Sequence, residues 1–274
     1  MLFRKPKIGI AFGGGGARGF THLGAIKAFE EFGLKFDYVA GTSVGSLVGA
    51  FYSAGYTYKE MYEICKTIKE KDIRRNIIPF TPSKPDGIGE VITKNLGDIN
   101  IEDLKIPLSI IAVDIKSTKE VCFSKGNLAK AVMGSCAVPL VFQPVVYDDK
   151  ILCDGGLQNT IPADIPRHYG CDYVVAVDVN KSRTYGTEST KLLDVLSCSI
   201  RILMKSNAVR GYVTADVVIA PETKRFKSTK TEGMDDMIEE GYKTTIDMMP
   251  KIMELFKRKI KRKKLENYDI QYID

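Results

Sequence analysis

The amino-acid sequence predicts an α/β fold in which helices cover a mostly parallel sheet. Two short apolar runs, residues 7–12 and 36–40, each lead into a glycine-rich turn that is followed by a helical pattern. Two more apolar runs, residues 108–115 and 173–179, have the length and composition of buried strands. Strand, turn and helix in alternation favour parallel strands, because each helix returns the chain to the starting edge of the sheet.

The first part of the chain is predicted to hold two strand–helix units. Each strand is a short apolar run. Each helix places its apolar residues at helical spacing or is built of small residues, and each stops at a glycine, Gly33 or Gly55. In chain order these elements are strand 7–12, helix 20–32, strand 36–40 and helix 44–54.

A polar segment then interrupts the alternation. Residues 56–100 carry Pro79, Pro82 and Pro85, which indicates helices joined by an irregular connection, a cap over the sheet edge. Asn127 has the side chain of an N-cap for a short helix. The elements predicted after the cap are paired strands 108–115 and 120–124, helix 127–136, hairpin strands 145–147 and 151–153, strand 173–179, helix 191–205, strand 216–220 and a long helix 237–265 bent near Pro250.

The domain organisation follows from this order. Residues 1–235 are predicted to form the α/β domain, with residues 56–100 as the cap insertion. Residues 236–274 are predicted to form a basic C-terminal helix that packs on the domain or extends from it. The chain has 274 residues, which is within the size that a single α/β unit reaches.

Composition excludes several classes of protein. Hydrophobic residues make up 44% and charged residues 27%, as in ordinary globular chains. The net charge of +6 is concentrated near the C-terminus, where almost every residue of 257–264 is basic, so the body is nearly neutral. That distribution argues against a nucleic-acid binder. Six cysteines without a CxxC pair and only two histidines argue against a zinc site, so no metal is expected.

The same features predict a cytoplasmic location. The cysteines are expected to be reduced thiols of a cytosolic protein. The apolar run at residues 8–12 is shorter than the signal-peptide core of about 7–15 residues. No run approaches the roughly 18 apolar residues of a membrane span, so membrane contact is expected to be peripheral.

The first motif is Gly-Gly-Gly-Gly-Ala-Arg-Gly at residues 13–19, between a strand and a helix. It contains GxGxxG at Gly14, Gly16 and Gly19, the pattern of a dinucleotide site. A dinucleotide site would need an acidic residue at the end of the next strand, whereas Asp37 lies at the beginning of that strand. A glycine loop before a helix presents free N–H groups, which suits a phosphate or the oxyanion of acyl transfer.

The second motif, residues 41–45, reads Gly-Thr-Ser-Val-Gly, a G-x-S-x-G between a strand and a helix. This is the context of a nucleophile elbow, in which the flanking glycines allow a sharp turn that exposes the Ser43 hydroxyl. A capping serine in a turn of small residues is the alternative. The glycine loop just upstream favours the nucleophile.

Ser43 needs a base. His22 lies in the helix after the glycine loop and His168 lies near a helix end; both are predicted to be structural, although the order Ser43, Asp154, His168 leaves a hydrolase triad open. Asp154 follows an apolar strand and precedes two glycines, so it is either a turn former or a base. A free carboxyl of pKa about 3.9 is a weak base, and burial would have to raise that pKa.

Together, and in this order, the motifs resemble the patatin-like phospholipase family over residues 7–179. The resemblance implies a three-layer α/β/α sandwich and lipid acyl hydrolysis without metal or cofactor. The residues that carry it are the glycine–arginine loop, the Ser43 motif, the block Ser135-Cys136-Ala137-Val138-Pro139 with Phe142 and Pro144, and Asp154-Gly155-Gly156.

The resemblance also implies roles for individual residues. Ser43 would be the nucleophile and Asp154 the general base of a dyad that needs no histidine. The amides of a glycine triplet would form the oxyanion hole, and Arg18 would support that loop or meet an anionic substrate. The triplet is Gly14, Gly15 and Gly16, and the supporting glycines are Gly19, Gly41, Gly45, Gly155 and Gly156.

The expected function is therefore a cytosolic serine hydrolase acting on phospholipid or lysophospholipid esters. A thioesterase or an acyltransferase would use the same chemistry with another substrate or acceptor. A non-catalytic lipid- or partner-binding regulator on the same fold is the alternative from another class. Acyl length, head group and oligomeric state are left open.

The C-terminal segment offers a second contact with lipid. Residues 248–264 combine apolar positions at helical spacing with clustered bases. They predict either a terminal helix packed on the core with a solvated basic end, or an interfacial helix drawn to anionic membrane.

Overall fold

A computed structural model describes residues 3–68, 73, 82–181, 186–226 and 233–261. Ten strands lie within these ranges. They are β1 (Phe3–Arg4), β2 (Ile8–Phe12), β3 (Tyr38–Thr42), β4 (Leu108–Asp114), β5 (Lys119–Phe123), β6 (Val145–Tyr147), β7 (Lys150–Asp154), β8 (Tyr173–Val177), β9 (Val217–Ile219) and β10 (Ile260–Lys261).

Nine helices lie within the same described ranges. They are α1 (Phe20–Glu31), α2 (Val44–Ala54), α3 (Tyr58–Thr67), α4 (Asp86–Leu96), α5 (Leu128–Ser135), α6 (Asp164–His168), α7 (Leu192–Ser206), α8 (Val209–Thr214) and α9 (Met234–Lys257). Of these, α8 was not predicted from the sequence. The N-cap predicted for α5 is confirmed, because the Asn127 side chain accepts a hydrogen bond from the Lys130 amide.

The central sheet is mixed and mostly parallel, as predicted. Its strand order is β6-β7-β4-β3-β2-β8-β9, and β5 pairs with β4 beside this path. The pairs from β4 through β3, β2 and β8 to β9 are parallel, whereas β5 and β7 run antiparallel to β4. The carboxyl ends of the parallel strands therefore share one edge, where loops can assemble a site.

Alternating strand residues face two apolar layers. Ile10 and Val39 belong to the larger core cluster, which also takes in helices α1, α2, α4, α5 and α9. Ala11 and Ala40 belong to the smaller cluster beside α6 and α8. Because successive strand residues point to opposite faces, the sheet buries both faces under helices and forms the middle of three layers.

Two helices in the predicted cap segment are described. Helix α3 begins with a capping box between Thr57 and Glu60, and α4 packs against α5. Most of the irregular connection predicted between them, residues 69–72 and 74–81, lies outside the described residues.

The C-terminal helix α9 packs on α1 and buries its apolar side, including Met237, Met249 and Ile252. The two backbones touch, since a Cβ on Gly24 would stand 2.0 Å from the Ile238 oxygen. The helix ends at Lys257, earlier than predicted, and β10 then pairs with β1. Like charges after Lys257 repel one another at helical spacing, which favours this end. Residues 262–274 lie outside the described residues, and they include the last four residues, 262–265, of the predicted helix.

Among the described residues, no helix has the length and apolar content needed to cross a membrane.

Candidate active site

Ser43 occupies a tight turn between β3 and α2. Its backbone has φ 54° and ψ −130°, and a positive φ is rare for a residue with a side chain. Only glycine fits two residues before and two residues after Ser43, because backbone atoms occupy the place of a side chain at both positions. A Cβ on Gly41 would stand 2.5 Å from the Gly45 oxygen, and one on Gly45 would stand 2.1 Å from the Phe12 oxygen. The G-x-S-x-G spacing thus lets α2 start directly above the sheet.

Hydrogen bonds to its amide and carbonyl groups hold the Ser43 backbone, and the Ser43 hydroxyl takes no part in these bonds. The Ser43 amide donates to Ser135 Oγ over 2.8 Å, and that hydroxyl donates to the Ile111 oxygen over 2.5 Å. The Ser43 carbonyl accepts from the Ser46 amide at 2.8 Å and the Ser46 hydroxyl at 2.6 Å. Ser135 and Ser46 are positioning residues that the sequence motifs did not assign, because their partners lie in other elements or depend on the turn.

Strand pairing explains how Asp154 reaches Ser43. Strand β4 has two edges but three partners. The pairing of β5 with β4 overlaps the pairing of β3 and also that of β7, so β3 and β7 share the opposite edge of β4. Because β3 runs parallel to β4 and β7 runs antiparallel, the carboxyl ends of β3 and β7 meet midway along β4.

The register places the meeting point at two adjacent residues of β4. Thr42 pairs with Ile111, and Asp154 pairs with Ala112. Ser43 directly follows Thr42, so the two predicted dyad residues come together although more than a hundred positions separate them. Gly155 allows the close fit, since a Cβ there would stand 2.2 Å from the Ile111 oxygen.

The Asp154 carboxyl is fully buried. Its Oδ1 accepts a hydrogen bond from the Gly156 amide at 2.8 Å, and within the described residues Oδ2 has no hydrogen-bond partner. Burial raises the pKa of Asp154 to about 6, while the nearby Ser43 hydroxyl and the Gly156 amide act in the opposite direction. A carboxylate with this raised pKa is a stronger base than a solvated one.

The glycine loop lies against Ser43, and a Cβ on Gly14 would stand 3.2 Å from Ser43 Cβ. The loop differs from expectation at Gly14, whose amide already donates to the Thr160 oxygen over 3.0 Å. That bond ties the loop to the segment after Asp154 and removes Gly14 from the predicted set of oxyanion donors. Among the described residues, the amides of Gly15 and Gly16 make no hydrogen bond within the protein.

Arg18 and Gly19 complete the loop as a 3₁₀ turn that leads into α1. Arg18 is 2% exposed and lines the cavity described next. Gly19 packs against α2, since a Cβ there would stand 2.3 Å from Val44 Cγ2. The predicted supporting positions are therefore placed around the Ser43 turn.

A cavity of about 490 Å³ opens beside Ser43 and the glycine loop. Its walls are mainly apolar side chains of α2, α3, α4 and the segment after α5, among them Leu47, Phe51, Met61, Ile88, Val91 and Phe142. Cys136 also lines it, and burial raises the pKa of this thiol, as does the negative charge of Asp154. A mainly apolar cavity that Ser43 helps to line suits the acyl chain of an ester substrate.

The two histidines stand apart from this chemistry. His22 is fully buried; its Nε2 donates to the Gly13 oxygen over 2.8 Å, and burial lowers its pKa to about 4. A neutral His22 therefore supports the glycine loop from behind. His168 is exposed at the end of α6, near the amino ends of the parallel strands, whereas Ser43 lies at their carboxyl ends. The Ser43–Asp154–His168 triad is not formed.

Asp37 has a structural role as well. Its carboxylate accepts a hydrogen bond from the Ile8 amide at the beginning of β2, on the edge opposite the glycine loop. It is therefore too far along the sheet to meet a ribose bound at that loop, which removes the dinucleotide interpretation. In the part of the chain that the structure describes, no group of three or more His, Cys, Asp or Glu could hold a metal ion.

Comparison with known proteins places these features in a family. The patatin-like phospholipase model matches residues 10–167. An uncharacterized NTE family protein of Mycobacterium tuberculosis is 32% identical over 181 residues, 65% of this chain and 50% of that protein. Lysophospholipase nte1 of Aspergillus fumigatus is 30% identical over 193 residues, 65% of this chain and 12% of that protein.

Among solved structures, VipD from Legionella pneumophila has a TM-score of 0.64 at 15% identity. The match covers 90% of this chain and 67% of that one, and it shows a shared fold. The chain spans half or less of the length of the two sequence relatives.

Proposed function

Because the chain belongs to the patatin-like phospholipase family, we propose that it is a serine hydrolase that cleaves fatty acyl esters of phospholipids or lysophospholipids through Ser43 and Asp154. One observation carries the proposal. The carboxyl ends of β3 and β7 meet on one edge of β4, which puts a serine that lines an apolar cavity next to a buried carboxyl. A relative named as a lysophospholipase supports this class of substrate.

The first half of the proposed reaction forms an acyl enzyme. The Asp154 carboxylate takes the Ser43 proton while Ser43 Oγ attacks the ester carbonyl carbon. The carbonyl oxygen becomes an oxyanion that accepts hydrogen bonds from the Gly15 and Gly16 amides at the start of the 3₁₀ turn. One such donor can be worth about 10²–10³ in turnover. The intermediate then collapses, and the departing alcohol takes the proton from Asp154.

The second half returns the free enzyme. Asp154 removes a proton from water as the water oxygen attacks the acyl carbonyl, and Ser43 Oγ leaves and is reprotonated. The fatty acid departs through the apolar cavity. Asp154 carries out every proton transfer, acting first as a base and then as an acid. Its raised pKa suits both roles, because the carboxyl both accepts and releases a proton readily near neutral pH.

The proposal is tested with a fluorophosphonate probe and a water-soluble aryl ester. We expect the wild type to be labelled and to turn over the ester, Ser43→Ala to do neither, and Asp154→Asn to lose at least about 10³-fold in turnover. Asp149→Asn is the matched control, because that side chain is exposed on the β6–β7 hairpin. Equal labelling of wild type and Ser43→Ala would refute the nucleophile.

The same assay separates the other functions. A thioesterase would prefer acyl thioesters, and an acyltransferase would pass the acyl group to an added alcohol faster than to water. A folded wild type that neither reacts with the probe nor cleaves any ester would indicate the non-catalytic regulator.

A further inference from the structure

Helix α7 turns an apolar face away from the protein. Leu192, Leu196 and Leu203 lie on one side of the helix at intervals of four and seven residues, with exposures of 71%, 41% and 60%. Val195 and Ile202 flank them at 42% and 48%. We call these five side chains the α7 apolar face. No residue of α7 is buried, so the face is not part of the core.

The opposite side of α7 holds it to the catalytic end of the sheet. The Met204 carbonyl accepts a hydrogen bond from Thr160, and a Cβ on Gly156 would stand 2.5 Å from Met204 Cε. Just after the helix, the Asn207 side chain donates to the Leu157 oxygen over 2.6 Å. The helix is thus fixed beside Asp154, and the direction of its apolar face is set by these contacts.

The cavity opens where α7 ends. Met204, Ala208 and Val209 line the cavity that reaches Ser43, yet Val209 is 62% exposed. Val209 therefore stands at the mouth. The residues of α7 that line the cavity are Arg201, Met204 and Lys205, so the end of this helix brings its apolar face close to the cavity.

We propose that the α7 apolar face docks on a phospholipid bilayer and feeds lipid into the cavity. This proposal rests on the proposed function of the Ser43 site and names how that site meets its substrate. An exposed apolar stripe of this length costs solubility unless something covers it. Arg201 and Lys205 in α7 and Lys191 just before it outnumber the single acid of the helix, Asp194. Arg201 and Lys205 line the cavity beside the apolar face, where their positive charge complements the phosphate of an anionic lipid.

This surface differs from the C-terminal one that the sequence left open as an alternative to a packed helix. The described part of the C-terminal helix α9 buries its apolar side on α1, so it has no free apolar face to offer a membrane. The bases after Lys261 lie outside the described residues, and an added electrostatic role for them stays a prediction.

The first test uses the absence of tryptophan from the chain. A single tryptophan at Leu196→Trp reports only on the α7 apolar face. We expect its emission to shift to the blue on addition of vesicles of phosphatidylcholine mixed with equal phosphatidylglycerol. Val146→Trp is the matched control, because Val146 is 72% exposed on the β6–β7 hairpin, and its emission should not shift. No shift at Leu196→Trp would overturn the proposal.

The second test measures co-sedimentation with the same vesicles. Replacing Leu192, Leu196 and Leu203 together by Gln should weaken binding by about tenfold or more for each leucine that enters the bilayer. Hydrolysis of vesicle lipid should fall in step, whereas turnover of the water-soluble ester should stay, because none of the three side chains lines the cavity. Val146→Gln should bind like the wild type.

Two controls separate the possible failures. Ser43→Ala should bind vesicles normally and hydrolyse nothing. If the wild type bound vesicles but had no esterase activity, the proposed function would be wrong and the docking surface would still hold. Vesicle binding by the triple variant at wild-type strength would overturn the docking surface alone. A wild-type dimer that the triple variant dissociates, with no binding to vesicles by either, would assign the face to a second copy of the chain.

Discussion

At the residue scale, a buried carboxyl such as that of Asp154 lowers stability whenever it is ionised. Its folded pKa of about 6 lies above the ordinary value of 3.8, so the folded chain holds this proton more tightly than the unfolded chain. The resulting stabilisation is complete below pH about 4 and is lost as pH rises through about 6. The burial that raises the pKa of Asp154 and suits it to proton transfer therefore also lowers the stability of the fold at neutral pH.

We predict that Asp154→Asn is more stable than the wild type at pH 8 and equal to it near pH 4. The difference at pH 8 has an upper limit of about 3 kcal/mol, because one pKa unit corresponds to about 1.4 kcal/mol. Denaturant unfolding at both pH values measures it, with the exposed Asp149→Asn as control. A variant that is less stable at pH 8 would show that Asp154 is ionised and well solvated in the fold.

The same ionisation predicts the pH profile of the wild type. Only the carboxylate can accept the Ser43 proton, so turnover of the soluble ester should rise through pH about 6 and then level off. Steady-state kinetics in constant ionic strength give the profile. A profile that is flat from pH 5 to 8 would argue against Asp154 as the base.

At the scale of elements, the turn between β3 and α2 depends on backbone contact. Gly45 stands against the Phe12 carbonyl, and a backbone atom cannot rotate away as a side-chain tip can. We predict that Gly45→Ala destabilises the fold by about 2–3 kcal/mol and abolishes probe labelling, because α2 must move off β2. Thermal unfolding and labelling measure the two effects.

Gly49 on the same helix is the matched control. A Cβ there would meet only side-chain tips, at 3.2 Å from Leu108 Cδ1 and Val39 Cγ1. Alanine also gains about 1 kcal/mol over glycine in a helix, which offsets the small overlap. Gly49→Ala should therefore keep both stability and labelling; equal damage from the two variants would mean that the elbow has no special requirement.

At the scale of the whole molecule, α9 joins the C-terminal part of the chain to its first helix. Gly241 touches the Thr21 carbonyl, where a Cβ would stand only 2.0 Å away. We predict that Gly241→Ala lowers the free energy of unfolding by about 1–3 kcal/mol despite the better helix propensity of alanine. Gly186→Ala, with no atom of the described residues within 4 Å of its Cβ position, should change it by less than about 0.5 kcal/mol. If Gly241→Ala lowered the free energy of unfolding as little as Gly186→Ala does, α9 would be packed loosely on α1.

Local sequence patterns carried much of the fold because short-range forces act within them. Apolar runs and glycine stops located β2, α1, β3 and α2 to within a few residues, and the Asn127 cap was recognisable because its partner, the Lys130 amide, is three residues away. The long helix α9 was placed too far toward the C-terminus. Helix α8 was missed because its six residues give too short a pattern.

The sequence by itself determined the alternation of strands and helices, the glycines around Ser43 and the Asp154-Gly-Gly turn, since each depends on neighbours along the chain. Only the tertiary structure decided that β3 and β7 share an edge of β4, that the Gly14 amide is taken by Thr160, and that the apolar side of α7 faces outward while that of α9 is buried. Each of these depends on which distant segment occupies the adjoining space. A hydrogen bond or an apolar contact between segments far apart in sequence leaves no periodic pattern in either one.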